Sequence, residues 1–269
     1  MMSAAAKYDA RAKAADSLLC VGLDSDMTKL PRSFMQKDHP QLAFNRHIID
    51  ATAEYAAAFK LNIAFYEAAG ATGWQQMAQT VDYLRTRHPD MLTICDAKRG
   101  DIGNTSAAYA SAIFDQLGFD AITLNPYLGW AALAPFLSYR DKASIVLCRT
   151  SNPGCADLQN LLVGGIPLWQ VVARQAAERT ERDNIMLVAG ATYPQELAEI
   201  RQIVGEMTLL VPGVGAQGGD VVAALAAGLN SFGRGMMINS SRGIVFADDP
   251  AHAAATLRDK INAGRSHAS

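Results

Sequence analysis

The feature that most constrains this chain is an alternation of short apolar runs with longer amphipathic stretches from one end to the other. The runs are rich in β-branched residues and have the length of strands, whereas the stretches between them carry apolar residues at helical spacing. Continuous apolar strands that alternate with helices indicate a parallel sheet covered by helices on both faces. The predicted strands are residues 17–24, 57–65, 91–98, 121–128, 143–151, 185–193, 208–215 and 231–237.

The number of these units and the length of the chain favour a closed barrel. A chain of 269 residues with this alternation fits a (β/α)8 TIM barrel, and an open, doubly wound sheet is the alternative. No Pro- or Ser-rich linker divides the chain, so residues 1–269 are predicted to form a single domain. Residues 1–16 are predicted to form a helical extension rather than a signal peptide, because they lack a continuous apolar core.

Composition narrows the classes of function. The net charge is −2, with 24 basic and 26 acidic residues, so no basic surface for nucleic acid is indicated. No apolar run is long enough to span a bilayer, and no cysteine pair or Cys/His cluster has the spacing of a metal site. We therefore expect a soluble cytoplasmic protein without nucleic-acid or membrane partners, in which the cysteines serve packing.

Polar and charged side chains gather where the predicted strands end. In barrel enzymes the carboxyl ends of the strands build the active site, whereas the opposite end serves stability. The sequence therefore predicts a site at this end of the barrel. The residues concerned are Asp24, Lys60, Asp96, Lys98, Asn125, Ser151, Tyr193 and the segment 213–219.

The strongest local signal is DAKRGDIGNT at residues 96–105. Residues two apart in a strand share a face, so Asp96 and Lys98 point the same way. Asp101 follows directly, and Lys60 ends another inward-facing run. An isolated Asp-x-Lys pair is more often a structural ion pair that orients a loop. Two lysines and two aspartates at a barrel mouth would hold each other charged, and such a network is costly to assemble without a substrate.

A second signal is VPGVGAQGGD at residues 211–220, which follows a strand and leads into a helix. Glycines and free amides at a helix start favour an anion, and Gln217 adds a side-chain donor, although many Gly-rich turns are only turns. The loops after strands seven and eight are the usual phosphate site of a barrel. Arg242 is the better clamp because guanidinium binds phosphate with two hydrogen bonds, whereas Arg234 is expected to support the loop or face outward.

Two further positions have both a plain and a functional interpretation. TSNPG at residues 150–154 is an ordinary Asn-Pro turn when taken alone, but in a site its hydroxyl groups and amide suit the edge of a planar heterocycle. Asp24 either caps a turn or binds the hydroxyl groups of a ribose.

Together these motifs resemble the orotidine 5′-monophosphate decarboxylase family, in particular its longer bacterial branch, the type 2 subfamily. The likeness covers most of the chain. Asp-x-Lys-x-x-Asp alone is shared with related barrel decarboxylases acting on sugar phosphates, but the combination of segments is far more specific. The resemblance implies conversion of orotidine 5′-monophosphate to uridine 5′-monophosphate and CO2 in de novo pyrimidine biosynthesis, without a cofactor or metal. The segments are LCVGLDSD, FKLNIAFYEAAG, DAKRGDIGNTSAAYA, RTSNPG, VPGVGAQGGD and INSSRGI.

The resemblance also implies roles for individual residues. Lys98 corresponds to the general acid that protonates C6 of the pyrimidine, and Asp96 to the carboxylate set against the carboxylate of the substrate. Lys60 corresponds to the lysine that holds Asp96 and contacts the ribose, and Asp24 to the ribose-binding aspartate.

Further positions match residues outside this central group. Asp101 and Thr105 match residues that such enzymes donate across a dimer interface into the neighbouring site, so a homodimer is expected. Ser151 resembles the serine that reads the base. The positions that match the pyrimidine and phosphate loops are Pro212, Gln217 and Arg242.

Three alternatives stay open at this stage. A ketose-phosphate decarboxylase or aldolase of the same barrel suprafamily would need a divalent metal and a further carboxylate at the end of strand one or two, whereas strand two ends in Lys60. A nucleotide-binding barrel that has lost catalysis is the second, and a purely structural role of the charges is the third.

Overall fold

A computed structural model describes residues 2–179, 183–214 and 219–268. In this part of the chain the strands are β1 (Leu19–Gly22), β2 (Ala58–Asn62), β3 (Leu92–Arg99), β4 (Ala121–Leu124), β5 (Ala143–Arg149), β6 (Leu162–Val163), β7 (Ile166–Pro167), β8 (Ile185–Ala189), β9 (Leu209–Val211) and β10 (Met236–Ser240). Eight of them form a closed parallel barrel in the order β1-β10-β9-β8-β5-β4-β3-β2, which confirms the predicted (β/α)8 TIM barrel. Strands β6 and β7 form a separate antiparallel hairpin.

Helices follow the strands around the outside of the barrel. They are α1 (Ala4–Ala14), α2 (Arg32–Met35), α3 (Pro40–Thr52), α4 (Ile63–Glu67), α5 (Gly70–Arg87), α6 (Gly103–Ser111), α7 (Trp130–Leu137), α8 (Ala156–Gln159), α9 (Leu168–Ala177), α10 (Pro194–Val204), α11 (Val221–Gly228), α12 (Arg242–Val245) and α13 (Pro250–Ala268). A π-helical turn at Ala112–Gln116 extends α6. None of the helices in the described ranges is both long enough and apolar enough to cross a membrane.

The barrel strands are buried along nearly their whole length, as the continuous apolar runs require. Strand β3 departs from a regular ladder at its carboxyl end. Its pairing with β4 shifts register between Cys95 and Arg99, so the residues between them lie in a bulge. A bulge re-aims side chains, and here it lies where the charged residues leave the strand.

All eight predicted barrel strands have different bounds in the structure, and for two of them, the second and the eighth, a side-chain hydrogen bond gives the reason. The second ends at Asn62, because the Asn62 side chain accepts a hydrogen bond from the Ala64 amide and starts α4. The eighth was predicted at 231–237, and this is wrong, since β10 begins at Met236. The Asn230 side chain accepts hydrogen bonds from the amides of Phe232 and Arg234, which closes a turn ahead of the strand.

Helix α1 covers the amino-terminal end of the barrel. Lys7 on this helix forms an ion pair of 2.8 Å with Asp120, which lies just before β4. The Tyr8 hydroxyl donates to the carbonyl of Met236 at the start of β10, and Arg11 Nε donates to the Ala56 carbonyl at 3.1 Å. The opposite end, where the strands finish, carries the candidate site.

Candidate active site

Three of the predicted catalytic side chains are in direct contact at the carboxyl end of the barrel. Lys60 Nζ on β2 lies 2.9 Å from Asp96 Oδ2 on β3, and Lys98 Nζ lies 2.6 Å from Asp96 Oδ1. The pairing of Asn62 with Asp96 in the β2–β3 ladder brings the two strand ends level. One carboxylate is thus shared between two ammonium groups from neighbouring strands.

The two lysines differ in exposure. The side chain of Lys60 is 5% exposed and that of Asp96 11%, whereas that of Lys98 is 51% exposed. Lys60 is therefore closed off by the barrel, while Lys98 is held at one end by Asp96 and open to the mouth. An ammonium group in this position can meet a bound molecule without first losing its counter-ion.

The electrostatics of the buried pair keep both partners charged. Burial alone would raise the pKa of Asp96, but Lys60 and then Lys98 outweigh it and hold that pKa well below its usual range. Burial would likewise lower the pKa of Lys60, but Asp96 and then Asp24 outweigh burial and raise it. Lys60 and Asp96 are therefore both ionised over the whole physiological range.

Asp24, which follows β1, faces the same cluster. Its Oδ1 lies 3.8 Å from Lys60 Nζ, too far for a hydrogen bond. This oxygen is buried, and within the described ranges no residue donates a hydrogen bond to it. A buried carboxylate oxygen without a donor is ready to accept one from a ligand hydroxyl group.

Thr123 on β4 completes the cluster, and the sequence interpretation did not include it. Its hydroxyl donates to Asp96 Oδ1 at 2.9 Å and accepts from the Lys98 amide at 2.9 Å. The signal was present in the sequence, because Thr123 is the polar residue in the apolar run AITL. Its partner residues could not be read from that run, since they depend on the register between β3 and β4.

Lys98 has an unusual backbone conformation. Its φ of 47° lies in the left-handed region, which is uncommon for a residue other than glycine. Such conformations cluster at functional sites, where the surrounding structure holds them. Here the bulge in β3 and the hydrogen bond to Thr123 hold the residue.

Asp101 and Thr105 do not join this cluster. One Asp101 carboxylate oxygen accepts a hydrogen bond of 2.7 Å from the Ile102 amide, and no ion pair within the described ranges links Asp101 to Lys60 or Lys98. Thr105 is exposed on α6, and the neighbouring Ile102 side chain is 68% exposed. Both residues therefore lie on a partly apolar surface beside the mouth.

Ser151 lies just after β5, close to the loop after β8. A Cβ atom on Gly190 would come within 2.9 Å of Ser151 Cβ, so only glycine permits this approach of the two loops. The Gln159 side chain accepts a hydrogen bond from the Thr150 amide and donates one to its hydroxyl, at 3.0 and 2.8 Å. These bonds close the loop after β5 on itself.

Arg149 links the same two loops, and the sequence interpretation did not include it either. Its buried guanidinium binds Glu196 on α10 through two nitrogens and donates to Cys155 Sγ at 2.8 Å and to Gln159 at 3.3 Å. It also lies 4.1 Å from the centre of the Tyr193 ring. The predicted strand ran through Arg149, but two of its partners, Glu196 and Tyr193, come from a distant part of the chain.

The predicted phosphate residues lie at the same end of the barrel. Pro212 directly follows β9, and Arg242 is exposed at the start of α12, just after β10. Gln217 lies outside the described residues. Arg234 lies at the other end of β10, where its Nε donates to Asp9 of α1 at 3.0 Å, so it faces away from the site.

The charged groups of the site lie in contact with one another. Within the ranges that the structure describes, no group of three or more His, Cys, Asp or Glu side chains is arranged to hold a metal ion. The space between the carboxylates of Asp24 and Asp96 is taken by the Lys60 ammonium group. The site presents the half-exposed ammonium group of Lys98, the buried carboxylate of Asp96 and, behind that carboxylate, the buried ammonium group of Lys60.

Comparison with known proteins shows the family to which the chain belongs. The family model described as Orotidine 5'-phosphate decarboxylase / HUMPS family matches residues 17–257. The chain is 48% identical over 260 residues to an orotidine 5'-phosphate decarboxylase from Cellvibrio japonicus, covering 93% of this chain and 94% of the relative. It is 51% identical over 233 residues to one from Cupriavidus metallidurans, covering 86% and 85%.

A solved structure is also similar over nearly the full length. The OMP decarboxylase of Leishmania donovani superposes with a TM-score of 0.89 at 42% identity, covering 98% of this chain and 100% of that one. The family match, the curated relatives and the solved fold agree with one another. The chain therefore belongs to the orotidine 5'-phosphate decarboxylase / HUMPS family.

Proposed function

We propose that this protein decarboxylates orotidine 5′-monophosphate to uridine 5′-monophosphate and CO2, a step of de novo pyrimidine biosynthesis. The observation that carries the proposal is the half-exposed Lys98 ammonium group, held 2.6 Å from Asp96 at the mouth of the barrel. The curated relatives that share about half of the sequence are named for this reaction, which supports the choice of substrate.

The reaction needs a proton donor at one carbon atom. When the bond between C6 and the carboxylate breaks, CO2 leaves and the electron pair stays on C6, with no adjacent carbonyl group to take it up. Lys98 Nζ donates a proton to C6, and the neutral amine then regains a proton from water. The charge that develops at C6 is stabilised by the fixed ammonium group, which needs no rearrangement at the moment of reaction.

Asp96 and Lys60 set the field in which this happens. Asp96 lies beside the leaving carboxylate and holds Lys98 in place. The buried Lys60 neutralises Asp96 from the interior of the barrel. Asp24 accepts hydrogen bonds from the ribose through its unpartnered Oδ1. Ser151 reads the pyrimidine, while Pro212, Gln217 and Arg242 bind the pyrimidine edge and the phosphate. The phosphate contacts supply binding energy remote from the reacting carbon.

We further propose that the active form is a homodimer, in which Asp101 and Thr105 enter the site of the neighbouring subunit. Their position outside the charged cluster and the exposed Ile102 beside them support this assignment. Mixing inactive Lys98→Ala and Asp101→Ala proteins should restore part of the activity, because the mixed dimer contains one site with both native residues. Two variants that stay inactive after subunit exchange would count against a shared site.

The chemistry is proposed to proceed without a metal, unlike that of a ketose-phosphate enzyme of the same suprafamily. The Lys60 ammonium group between Asp24 and Asp96 supports this, since it neutralises the carboxylates that a divalent cation would need. Activity should persist in EDTA. Loss of activity in EDTA with recovery on adding Mg²⁺ would favour the metal-dependent alternative.

The cytoplasm is the proposed compartment. The four cysteines, Cys20, Cys95, Cys148 and Cys155, are buried and free. Free thiols suit a reducing compartment.

The decisive test follows the ultraviolet absorbance of orotidine 5′-monophosphate with the purified wild-type protein and with Lys98→Ala. Rapid loss of substrate with the wild type and very slow loss with the variant is the expected result. A wild type that binds uridine 5′-monophosphate but does not consume the substrate would identify a nucleotide-binding barrel instead. A fully active Lys98→Ala would remove Lys98 from the proton transfer while leaving the reaction itself in place.

A further inference from the structure

The hydroxyl group of Thr123 contacts both residues on which the proposed proton transfer depends. It donates to Asp96 Oδ1 at 2.9 Å and accepts from the backbone amide of Lys98 at 2.9 Å. The side chain is buried, with 1% of the residue exposed, so these contacts are shielded from water. One group therefore touches the carboxylate that holds the lysine and the backbone that carries it.

The direction of these two hydrogen bonds is determined by their partners. A backbone N–H can only donate, so the hydroxyl oxygen must accept from Lys98. The ionised carboxylate of Asp96 can only accept, so the single hydroxyl hydrogen must point to Asp96. Threonine is stiff about χ1, and in a buried strand its hydroxyl has little freedom to turn elsewhere. The group thus acts as a rigid link between the two residues.

The two hydrogen bonds stabilise two groups that few other contacts hold, the Asp96 carboxylate and the Lys98 amide. Asp96 Oδ2 is bound by the buried Lys60, whereas its Oδ1 has the half-exposed Lys98 as its other partner. The Lys98 amide lies in the bulge where the β3–β4 ladder is interrupted, and its residue has a φ of 47°. Thr123 fixes the rotation of the carboxylate and supplies the amide with an acceptor.

We propose that Thr123 is a positioning residue, which aims the Lys98 ammonium group by holding the Asp96 carboxylate and the Lys98 backbone at once. The expected loss of turnover rests on the proposed function, whereas the expected change in the positions of Asp96 and Lys98 does not. Thr123 is 1% exposed, and both hydrogen bonds of its hydroxyl go to Asp96 and Lys98, so it is not placed to bind substrate. Its loss should therefore slow turnover and leave nucleotide binding nearly unchanged.

The chain offers a closely matched control at the other end of the same strands. Thr93 on β3 is also 1% exposed; its hydroxyl donates to the Asp120 carboxylate at 3.0 Å and accepts from the Asp120 amide at 3.1 Å. It differs from Thr123 in that its hydroxyl bonds to Asp120 and not to Asp96 or Lys98. Thr93→Val removes the same chemistry from the same pair of strands.

The experiment compares Thr123→Val, Thr123→Ser and Thr93→Val with the wild type. Thr123→Val should lower kcat on the order of 10- to 100-fold, the effect of losing a hydrogen bond to a charged group. KM and the Kd for uridine 5′-monophosphate should change less than about threefold. Thr123→Ser should restore most of the loss, since it keeps the hydroxyl. Thr93→Val should lower the midpoint of thermal unfolding without a comparable loss of kcat.

Crystal structures of the two valine variants give a readout that does not depend on turnover. In Thr123→Val the distance from Lys98 Nζ to Asp96 Oδ1 should exceed hydrogen-bond range, or the φ of Lys98 should leave the left-handed region. Thr93→Val should keep both features. An unchanged cluster in Thr123→Val, or equal losses of kcat in the two valine variants, would overturn the positioning role. An inactive wild type would overturn the proposed function, and the crystal structures would still decide on Thr123.

Discussion

The two ends of the β3–β4 strand pair carry the same three kinds of residue and use them differently. At the amino-terminal end, Thr93 donates to Asp120, and Lys7 of α1 pairs with that carboxylate at 2.8 Å. At the carboxyl end, Thr123 donates to Asp96, and Lys98 pairs with it at 2.6 Å. Residue types alone therefore do not distinguish a structural cluster from a catalytic one.

The two ends differ in the number of charged groups and in how far those groups are covered by the rest of the protein. Lys7 and Asp120 are a single pair, 19% and 18% exposed, and helix α1 closes over that end. At the other end the buried Lys60 already neutralises Asp96, so the second lysine is surplus to the ion pair and is 51% exposed. A second cation on one carboxylate, left open to the mouth, is what makes this end suited to chemistry.

The first prediction compares the two lysines and has the largest expected effect. Lys98→Ala should lower kcat by about 10²- to 10⁴-fold, the range for losing a general acid, with little change in stability because the side chain is half exposed. Lys7→Ala should leave kcat unchanged and cost about 1 kcal/mol of unfolding free energy. Steady-state kinetics and urea unfolding measure both. Equal kinetic losses in the two variants would remove the distinction between the ends.

The second prediction compares the two aspartates. Asp96→Asn leaves Lys60 buried with only the more distant Asp24, so it should cost about 3–5 kcal/mol of unfolding free energy and most of the activity. Asp120→Asn should cost about 1–3 kcal/mol, because its partners are partly exposed, and should leave kcat intact. Urea unfolding of both variants gives the two free energies. An Asp96→Asn protein as stable as the wild type would contradict the buried ion pair.

The third prediction extends the comparison to the two arginines that flank β10. Arg242→Ala should raise KM for the phosphate-bearing substrate by roughly 10- to 100-fold with a smaller effect on kcat, as expected for a charge-assisted contact. Arg234→Ala removes a hydrogen bond to Asp9 of α1 and should leave KM unchanged. An Arg242→Ala protein with native KM would exclude this residue from phosphate binding.

The fourth prediction concerns pH and has the smallest effect near neutrality. The pKa of Asp96 is lowered in the folded state because Lys60 and Lys98 outweigh burial, so its charge stabilises the fold above its unfolded pKa of about 3.9. That stabilisation is lost as the pH falls below this value. The raised pKa of Lys60 stabilises the fold below about pH 10.4, and this is lost as the pH rises through the folded value.

Thermal unfolding followed from pH 7 down to pH 2 tests this. The wild-type midpoint should fall steeply below about pH 4, whereas Asp96→Asn should start lower and fall less over the same interval. Parallel curves for the two proteins would mean that Asp96 does not contribute to the loss of stability at low pH. Asp120→Asn serves as the control from the other end of the barrel.

Much of the fold followed from local pattern. The alternation of apolar runs and amphipathic stretches predicted the barrel, because the number and type of elements depend on short-range periodicity. The two-residue period of a strand predicted that Asp96 and Lys98 would lie close together, but the structure brings them together at a bulge where Lys98 leaves the regular ladder. The bounds of the strands did not follow from this pattern, because Asn62 ends one strand and Asn230 delays another through side-chain hydrogen bonds that periodicity does not contain.

The sequence by itself determined that a charged cluster would stand at the carboxyl end of a barrel. Only the tertiary structure decided which residues complete it. Thr123 reaches Asp96 through the register of β4 against β3, and Arg149 reaches Glu196 across two loops. The physical reason is that periodicity sets the direction of a side chain, whereas a contact between strands depends on register and packing, which are set by the whole barrel.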